Sequence, residues 1–265
     1  MPELPEVETV RRRLHRALRG HRIVRIEAAA DPVVFDVVAP ADFAHALKGA
    51  RIVSTHRKGK HLWLGLDRRP WPLFHFGMTG WIHVDRVGAP ERRFTKMALE
   101  TDKGMRAVFT DPRRFGRIRL QEDPVGQPPV SLLGFDPLEG VPAVAELQRR
   151  LVRRNAPIKA VLLDQSIFAG VGNWVADEVL FQAGLAPQRA ASSLTTVETR
   201  ALRSALLRVV QKAVDVGADD ARFPRTWLFH HRWGKNAAAL TSRGDRILHE
   251  TIGGRTTAWV PKRQR

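Results

Sequence analysis

Residues 121–140, QEDPVGQPPVSLLGFDPLEG, carry proline and glycine at irregular intervals and no hydrophobic period. They separate two halves of the chain whose apolar patterns belong to different kinds of secondary structure. Before this stretch the pattern is strand-like. HRIVRIE, RIVSTHR, HLWLGLD with Leu62, Leu64 and Leu66 alternating, PLFHFG and TKMALETDKGMRAVFT read as strands, the last folded back at Asp102-Lys103-Gly104. Two helices are expected among them. One follows Pro5, with Val7, Val10, Leu14 and Leu18 at helical spacing and Gly20 as its stop; the other is the short ADFAHALKG segment, capped by Asp42. After the stretch, VAELQRRLVRR, PIKAVLLDQ, WVADEVLFQAG and TVETRALRSALLRVVQKAVDVG are helical by period and end at Gly or before Pro. From about residue 227 the segments shorten again, and Gly253-Gly254 in RILHETIGGRTTAWV marks a hairpin. The expected fold is α+β: an antiparallel β-sandwich flanked by helices over residues 1–125, a linker at 126–145, a helical domain at 146–226 and a β-hairpin tail at 227–265.

Charge narrows the partner. Lys and Arg number 44 against 27 Asp and Glu, a net charge of +17, and residues 221–265 alone hold ten basic side chains and two acidic ones. Such an excess points to a polyanion, because neutralising phosphates releases counterions. No run of eighteen apolar residues offers a membrane span. The start, MPELPEVETV, lacks the basic and apolar regions of a signal peptide, so a cytoplasmic protein is expected. The chain has no cysteine, which excludes disulfides and thiolate metal sites.

Local chemistry at the terminus is suggestive. A Met followed by Pro is a context in which the initiator is normally removed, leaving Pro2 as a secondary amine of a class whose reference pKa is about 8. Such an amine can attack a sugar C1′ and form an iminium ion. Glu3 and Glu6 lie beside it in sequence, where a helix start could hold them as acid and base. The same residues also suit a plain helix entry with acids in its first turn.

MPELPEVETVRR resembles the opening of the formamidopyrimidine-DNA glycosylase and endonuclease VIII family, and HRKGKHLWL, HFGMTG, DPRRFG, LLDQSIFAGVGNWVADEVLF and GGRTTAW resemble its later blocks in the same order. The likeness covers essentially the whole chain, and six ordered blocks are specific where one is not. It implies that Pro2 is the Schiff-base nucleophile, that Glu3 protonates the deoxyribose ring oxygen and that Glu6 supports proton shuttling. Lys60, in the Lys58-Gly59-Lys60 turn, would meet the phosphates flanking a lesion. Met78, Arg113 and Phe115 match the family's residues that fill the gap left by an everted nucleotide, which is chemically reasonable because stacking lost on flipping can be partly recovered by apolar, planar and aromatic side chains. Asn173, after Gly170-Val171-Gly172, opens the second helix of a helix, two-turn, helix element and would present a helix N-terminus to a phosphate. Trp174-Val175 stands where Ile-Tyr is usual. Taken singly, Lys60 also reads as a solvated turn lysine, Met78 and Phe115 as core residues, and the glycine run as an ordinary helix connection.

The tail departs from the family most. Its usual zinc cysteines fall on Leu240, Arg243, Val260 and Arg263, none of which can bind zinc in the usual way, while Gly244, Ile247 and Gly254-Arg255-Thr256-Thr257 keep the surrounding pattern. This resembles the family's zincless finger: a hairpin packed by Leu240, Ile247, Trp259 and Val260 that carries Arg255 to the DNA backbone. His230, His231 and His249 are poor substitutes, since adjacent strand residues face opposite sides. The resemblance implies a monomeric glycosylase and lyase without metal or cofactor, acting on duplex DNA with damaged bases or abasic sites through β- and δ-elimination. Oxidised purines such as 8-oxoguanine and formamidopyrimidines are the expected substrates. Oxidised pyrimidines are the alternative, because only about a dozen residues separate Val216 from the expected first strand of the tail, which leaves little room for the long loop that covers a flipped purine in the family. A catalytically silent damaged-DNA binder and an RNA or ribosome-associated protein are further alternatives.

Overall fold

The computed structural model describes residues 2–234 and 238–265, so Met1 lies outside the described residues. The chain forms two units that divide between Leu132 and Leu133. In the first, helix α1 (Leu4–Leu18) is followed by β1 (Ile23–Ala28), α2 (Pro40–Leu47), β2 (Ile52–Lys58), β3 (His61–Leu66), β4 (Trp71–His75), β5 (Trp81–Arg86), β6 (Thr95–Thr101), β7 (Met105–Thr110) and β8 (Arg117–Gln121). The strands make two four-stranded antiparallel sheets, ordered β1-β6-β7-β5 and β2-β3-β4-β8. Val7, Val10, Leu14 and Leu18 of α1 are buried with Phe43, Phe74, Phe76 and Phe109 in one apolar core. Two strands escaped the pattern reading, β5 and β8, and both are sheet edges. Their charged residues, Asp85 and Arg86 in one and Arg117 and Arg119 in the other, discourage further pairing but obscure the alternating signal. The Asp42 cap is also corrected. Helix α2 begins at Pro40 after Ala39, and Asp42 lies within its first turn. Proline at the first position loses no bond, since that N–H has no partner in the helix anyway.

The second unit contains α3 (Val144–Leu151), α4 (Ile158–Leu163), α5 (Asn173–Ala183) and α6 (Thr196–Asp215), then single 3₁₀ turns at Asp220–Arg222 and Leu228–His230, and a hairpin of β9 (Leu248–Ile252) and β10 (Arg255–Trp259). Thr195 and Glu198 cap α6 reciprocally: the Thr195 N–H donates to Glu198 Oε2 at 2.8 Å and the Glu198 N–H to Thr195 Oγ1 at 3.3 Å. Gln165 organises the turns between α4 and α5, donating to the carbonyls of Leu163 and Val171 and accepting from the Gly170 N–H. Gly253 and Gly254 have φ of +59° and +73°. A two-residue turn between paired Ile252 and Arg255 needs both in the left-handed region, which only glycine adopts without strain.

Two expectations about the tail change. Leu240 is 52% exposed rather than packed; Leu228, Ile247, Ala258 and Val260 form the small core, and Leu228 arrives from the 3₁₀ turn that patterning did not resolve. The first strand of the hairpin starts at Leu248, so residues 216–247 separate it from α6. The short connection that favoured oxidised pyrimidines therefore does not exist.

Candidate active site

In the first unit the start of α1 gathers three of the candidate residues. Glu3 is the residue before the helix, and its N–H donates to Glu6 Oε2 at 3.0 Å, half of a reciprocal cap. The Glu3 side chain is buried, 2% exposed, and Glu6 and Pro2 are half-buried. Burial, and then the neighbouring Glu3 carboxyl, pushes Glu6 up to about 7. Both protonation states of Glu6 are thus accessible near neutral pH, the condition a proton shuttle requires.

Lys60 follows Gly59, which turns the chain between β2 and β3 at φ +57°. A buried relay ties this turn to α1. Arg57 Nε donates to Glu8 Oε2 at 3.2 Å, and its Nη1 donates to the Gly59 carbonyl at 3.1 Å. Although burial acts to raise it, hydrogen bonds from Arg11 and Arg12 and the charge of Arg57 hold Glu8 down at about 2, so the relay is ionic at any physiological pH. His61 and His75 sit side by side on β3 and β4, ring centroids 4.8 Å apart. Burial and the surrounding positive charge, Lys60 included, push them down to about 3 and about 4. Both imidazoles are neutral at pH 7, so the cationic character there belongs to Lys60, Arg117 and Arg119.

Met78, Arg113 and Phe115 occupy two adjoining loops, β4 to β5 and β7 to β8. They are exposed: Met78 is 38% and Phe115 46% accessible, and the Arg113 guanidinium lies 4.8 Å from the Phe115 ring centroid. They are not core residues. Fully buried Asp111 joins the loops, accepting from Thr79 Oγ1 at 2.6 Å and the Gly116 N–H at 2.6 Å. A side chain at Gly77 would collide with the Phe115 backbone, so the two loops approach as closely as glycine permits. Between Arg113 and Phe115, Arg114 is held at φ +58°, where a non-glycine residue is strained, by paired hydrogen bonds to Asp31.

The second unit brings Asn173 to the hairpin. Asn173 is the first residue of α5, and its Nδ2 donates to the Thr256 carbonyl at 2.9 Å, next to exposed Arg255. Its Oδ1 is buried with no hydrogen-bond partner among the described residues. Beneath them is a cluster that the pattern reading did not find. Asp177, on α5 and buried, receives Lys159 of α4, the Arg232 guanidinium at 2.6 and 3.0 Å, and the Ala258 N–H of β10 at 3.2 Å. Arg232 in turn stacks over Trp233, a 55%-exposed aromatic, at 4.6 Å. Trp174, Phe223, Trp227 and Phe229 pack as an aromatic group beside it, so Trp174 has an evident packing role at the departure from Ile-Tyr.

Zinc does not fit the tail. Val260 is fully buried among apolar residues, Leu240 is exposed, and Arg263 pairs with Asp245, which also receives Lys262 at 3.0 Å. Thus two of the four expected ligand positions carry guanidinium groups and the others aliphatic ones. Among the histidines weighed as substitutes, His249 Nε2 lies 3.1 Å from the Arg232 carbonyl and His230 Nε2 lies 3.3 Å from that of Phe223. No group of three His, Cys, Asp or Glu side chains among the described residues is placed to hold a metal ion.

Residues 1–118 match the family model described as the formamidopyrimidine-DNA glycosylase N-terminal domain, and residues 133–224 match that of its H2TH domain. A formamidopyrimidine-DNA glycosylase of Arabidopsis thaliana is 41% identical over all of this chain and 71% of its own length; one from Rhodospirillum rubrum is 39% identical over the full length of both. The crystal structure of Lactococcus lactis formamidopyrimidine-DNA glycosylase bound to abasic-site DNA superimposes with a TM-score of 0.87 at 26% identity, covering 99% of each chain. A structure of MutM with DNA containing carbocyclic 8-oxoguanine gives 0.87 at 27% identity over the whole of both. With a terminus, loops and helix, two-turn, helix element disposed as described and relatives of this similarity spanning its full length, the chain belongs to the formamidopyrimidine-DNA glycosylase family.

Proposed function

We propose that the protein is a bifunctional DNA glycosylase and abasic-site lyase of base excision repair, with Pro2 as nucleophile once Met1 is removed. The observation that carries the reading is the geometry beside Pro2: a buried Glu3 and a Glu6 held at about 7 on the first turn of a rigid helix. The Pro2 nitrogen bonds to C1′ of the damaged nucleotide as the bond from C1′ to the base breaks; the base leaves with the electron pair of that bond and takes up the proton that the Pro2 nitrogen gives up. Glu3 gives its proton to the ring oxygen as the bond from C1′ to that oxygen breaks, which leaves an open-chain iminium on Pro2. Loss of a C2′ proton expels the 3′-phosphate, a second proton loss expels the 5′-phosphate, and water releases the sugar fragment. Glu6 carries protons between these steps. Lys60 steadies the phosphates flanking the lesion, while Met78, Arg113 and Phe115 occupy the space left by the flipped nucleotide. Oxidised purines are the proposed substrates, in keeping with that exposed trio and with relatives solved on 8-oxoguanine and Fapy-dG DNA. Duplexes bearing one defined lesion each test this assignment, and faster release of oxidised pyrimidines than purines overturns it.

Borohydride on an abasic-site duplex should trap a covalent adduct at Pro2; its absence with correctly processed protein sinks the enzyme reading. Activity limited by an ionised Glu6 should rise with pH through about 7, since a raised carboxyl ionises only there. In Glu6→Gln that limb of the pH profile should disappear; an unchanged profile removes Glu6 from the proton path. Arg255→Ala should weaken binding to the abasic duplex by about 1.5–3 kcal/mol, the loss of one charged hydrogen bond, measured at fixed salt. Chelator treatment should leave activity unchanged, and its loss would refute a tail that folds without metal.

A further inference from the structure

The second unit has another surface, remote from Asn173. A groove of about 980 Å³ runs between α6 and the tail, with the C-terminal half of α5 as its floor. Gln182 lines it nine residues beyond Asn173, about 14 Å along the helix at 1.5 Å per residue, so it occupies the opposite end of α5 from the proposed phosphate contact. Its walls have two characters. Half-buried Phe181 and Pro224, with Trp227 behind them only 6% exposed, supply its apolar side, while Arg208, Lys212 and Arg243 stand exposed around it. None of those three basic side chains makes an ion pair among the described residues. Arg208 and Lys212 lie one turn apart on the same face of α6, and Arg243 faces them from the tail. The acidic residues of the groove are few: Asp215, which accepts a hydrogen bond from Gln211, and Glu178, which is fully buried and, chiefly for that reason, raised to about 7. Arg243 and Arg263 are also the groove-lining residues that stand where cysteine ligands are expected; Arg263 is paired with Asp245, whereas Arg208 and Lys212 come from α6.

We propose that this groove is a docking site for an acidic protein segment in which carboxylates alternate with large apolar side chains. The apolar wall accepts the latter, and Arg208, Lys212 and Arg243 the former. Charge complementarity argues for such an occupant, and the mixed wall argues against a purely electrostatic one, since a phosphate backbone has no use for Phe181, Pro224 and Trp227. The inference stands whether or not Pro2 is the nucleophile, because none of these residues belongs to the proposed active site.

The test is fluorescence polarisation at 150 mM salt with a fluorescein-labelled dodecapeptide alternating Asp with Leu and Phe. An all-Asp peptide of equal length and an abasic-site duplex are measured beside it. The wild-type chain should bind the alternating peptide with micromolar affinity, at least ten-fold more tightly than the all-Asp peptide. Arg208→Glu/Lys212→Glu/Arg243→Glu should abolish that preference and weaken binding at least ten-fold, while duplex binding stays within about three-fold. The variant Lys48→Glu/Arg86→Glu/Lys103→Glu, with the same net charge but altered only at exposed positions of the first unit, should bind the peptide within about three-fold of wild type. Equal affinity for the two peptides overturns the proposal, as does equal loss in both triple variants, because either reduces the interaction to net charge. Parallel loss of duplex binding with the groove variant also overturns it, by making the groove part of the DNA path. Because duplex binding and borohydride trapping are read on the same samples, failure here is distinguishable from failure of the catalytic reading.

Discussion

Protein that retains Met1, or carries one added residue before Pro2, should yield no borohydride-stable adduct on an abasic duplex while still binding it. A preceding residue converts the Pro2 amine into an amide, whose nitrogen lone pair is delocalised and cannot attack C1′. The expected effect is loss of trapping to background, the largest of any single change here, and it needs no disturbance of the fold because the cap joins Glu3 to Glu6 and uses no atom of the added residue. Pro2→Gly keeps an amine but not a secondary one. It should bind DNA and lose much of its base excision; unchanged turnover would remove Pro2 from the mechanism. Mass spectrometry of the terminus, run with the trapping assay, should show adduct only in the fraction that begins at Pro2.

Asp177→Ala should be the most destabilising substitution in the second unit. The carboxylate balances Lys159, which is fully buried, and Arg232, and it also takes the Ala258 N–H. Truncating it removes the carboxylate that these two buried cations share, and breaking a buried ion pair typically costs about 3–5 kcal/mol. For a unit of this size that corresponds to a fall of roughly 10–20 °C in melting temperature. Because Ala258 lies on β10, three residues beyond Arg255, and Arg232 precedes the hairpin, DNA binding should fall further than with Arg255→Ala. A melting temperature within about 2 °C of wild type would show that the cluster contributes little. Asp177→Asn, which keeps the shape and one acceptor, should lie between the two.

What was legible in the sequence followed local rules. Val7, Val10, Leu14 and Leu18 announced α1 because helical spacing needs no knowledge of the partner surface, and Gly253-Gly254 announced the hairpin because two consecutive left-handed residues are rarely anything else. Strands β5 and β8 were hidden because charged side chains, Asp85 and Arg86 in one and Arg117 and Arg119 in the other, interrupt the apolar alternation. The buried polar residues were hidden for another reason: their partners are distant in sequence. Arg57 reaches back to Glu8, Asp111 to Thr79, and Asp177 gathers Lys159, Arg232 and Ala258. No spacing rule connects such positions, and each reads alone as a surface charge. The exposed trio presents the opposite case. Met78 and Phe115 look like core by residue type, and only the family's ordered blocks set them on loops facing outward.

The ion pairs in the tail also decide what can undo it. A finger closed by thiolates fails when its metal is extracted or its sulfur oxidised; one closed by Asp245 against Lys262 and Arg263 has neither weakness. It acquires a different one. Hydrogen bonds from Lys262 and Arg263 hold the Asp245 carboxyl below its usual value, so the stability it lends is present above the ordinary aspartate range and disappears as pH falls through the lowered one. Acid should therefore loosen this tail under conditions where peroxide and chelators leave it intact.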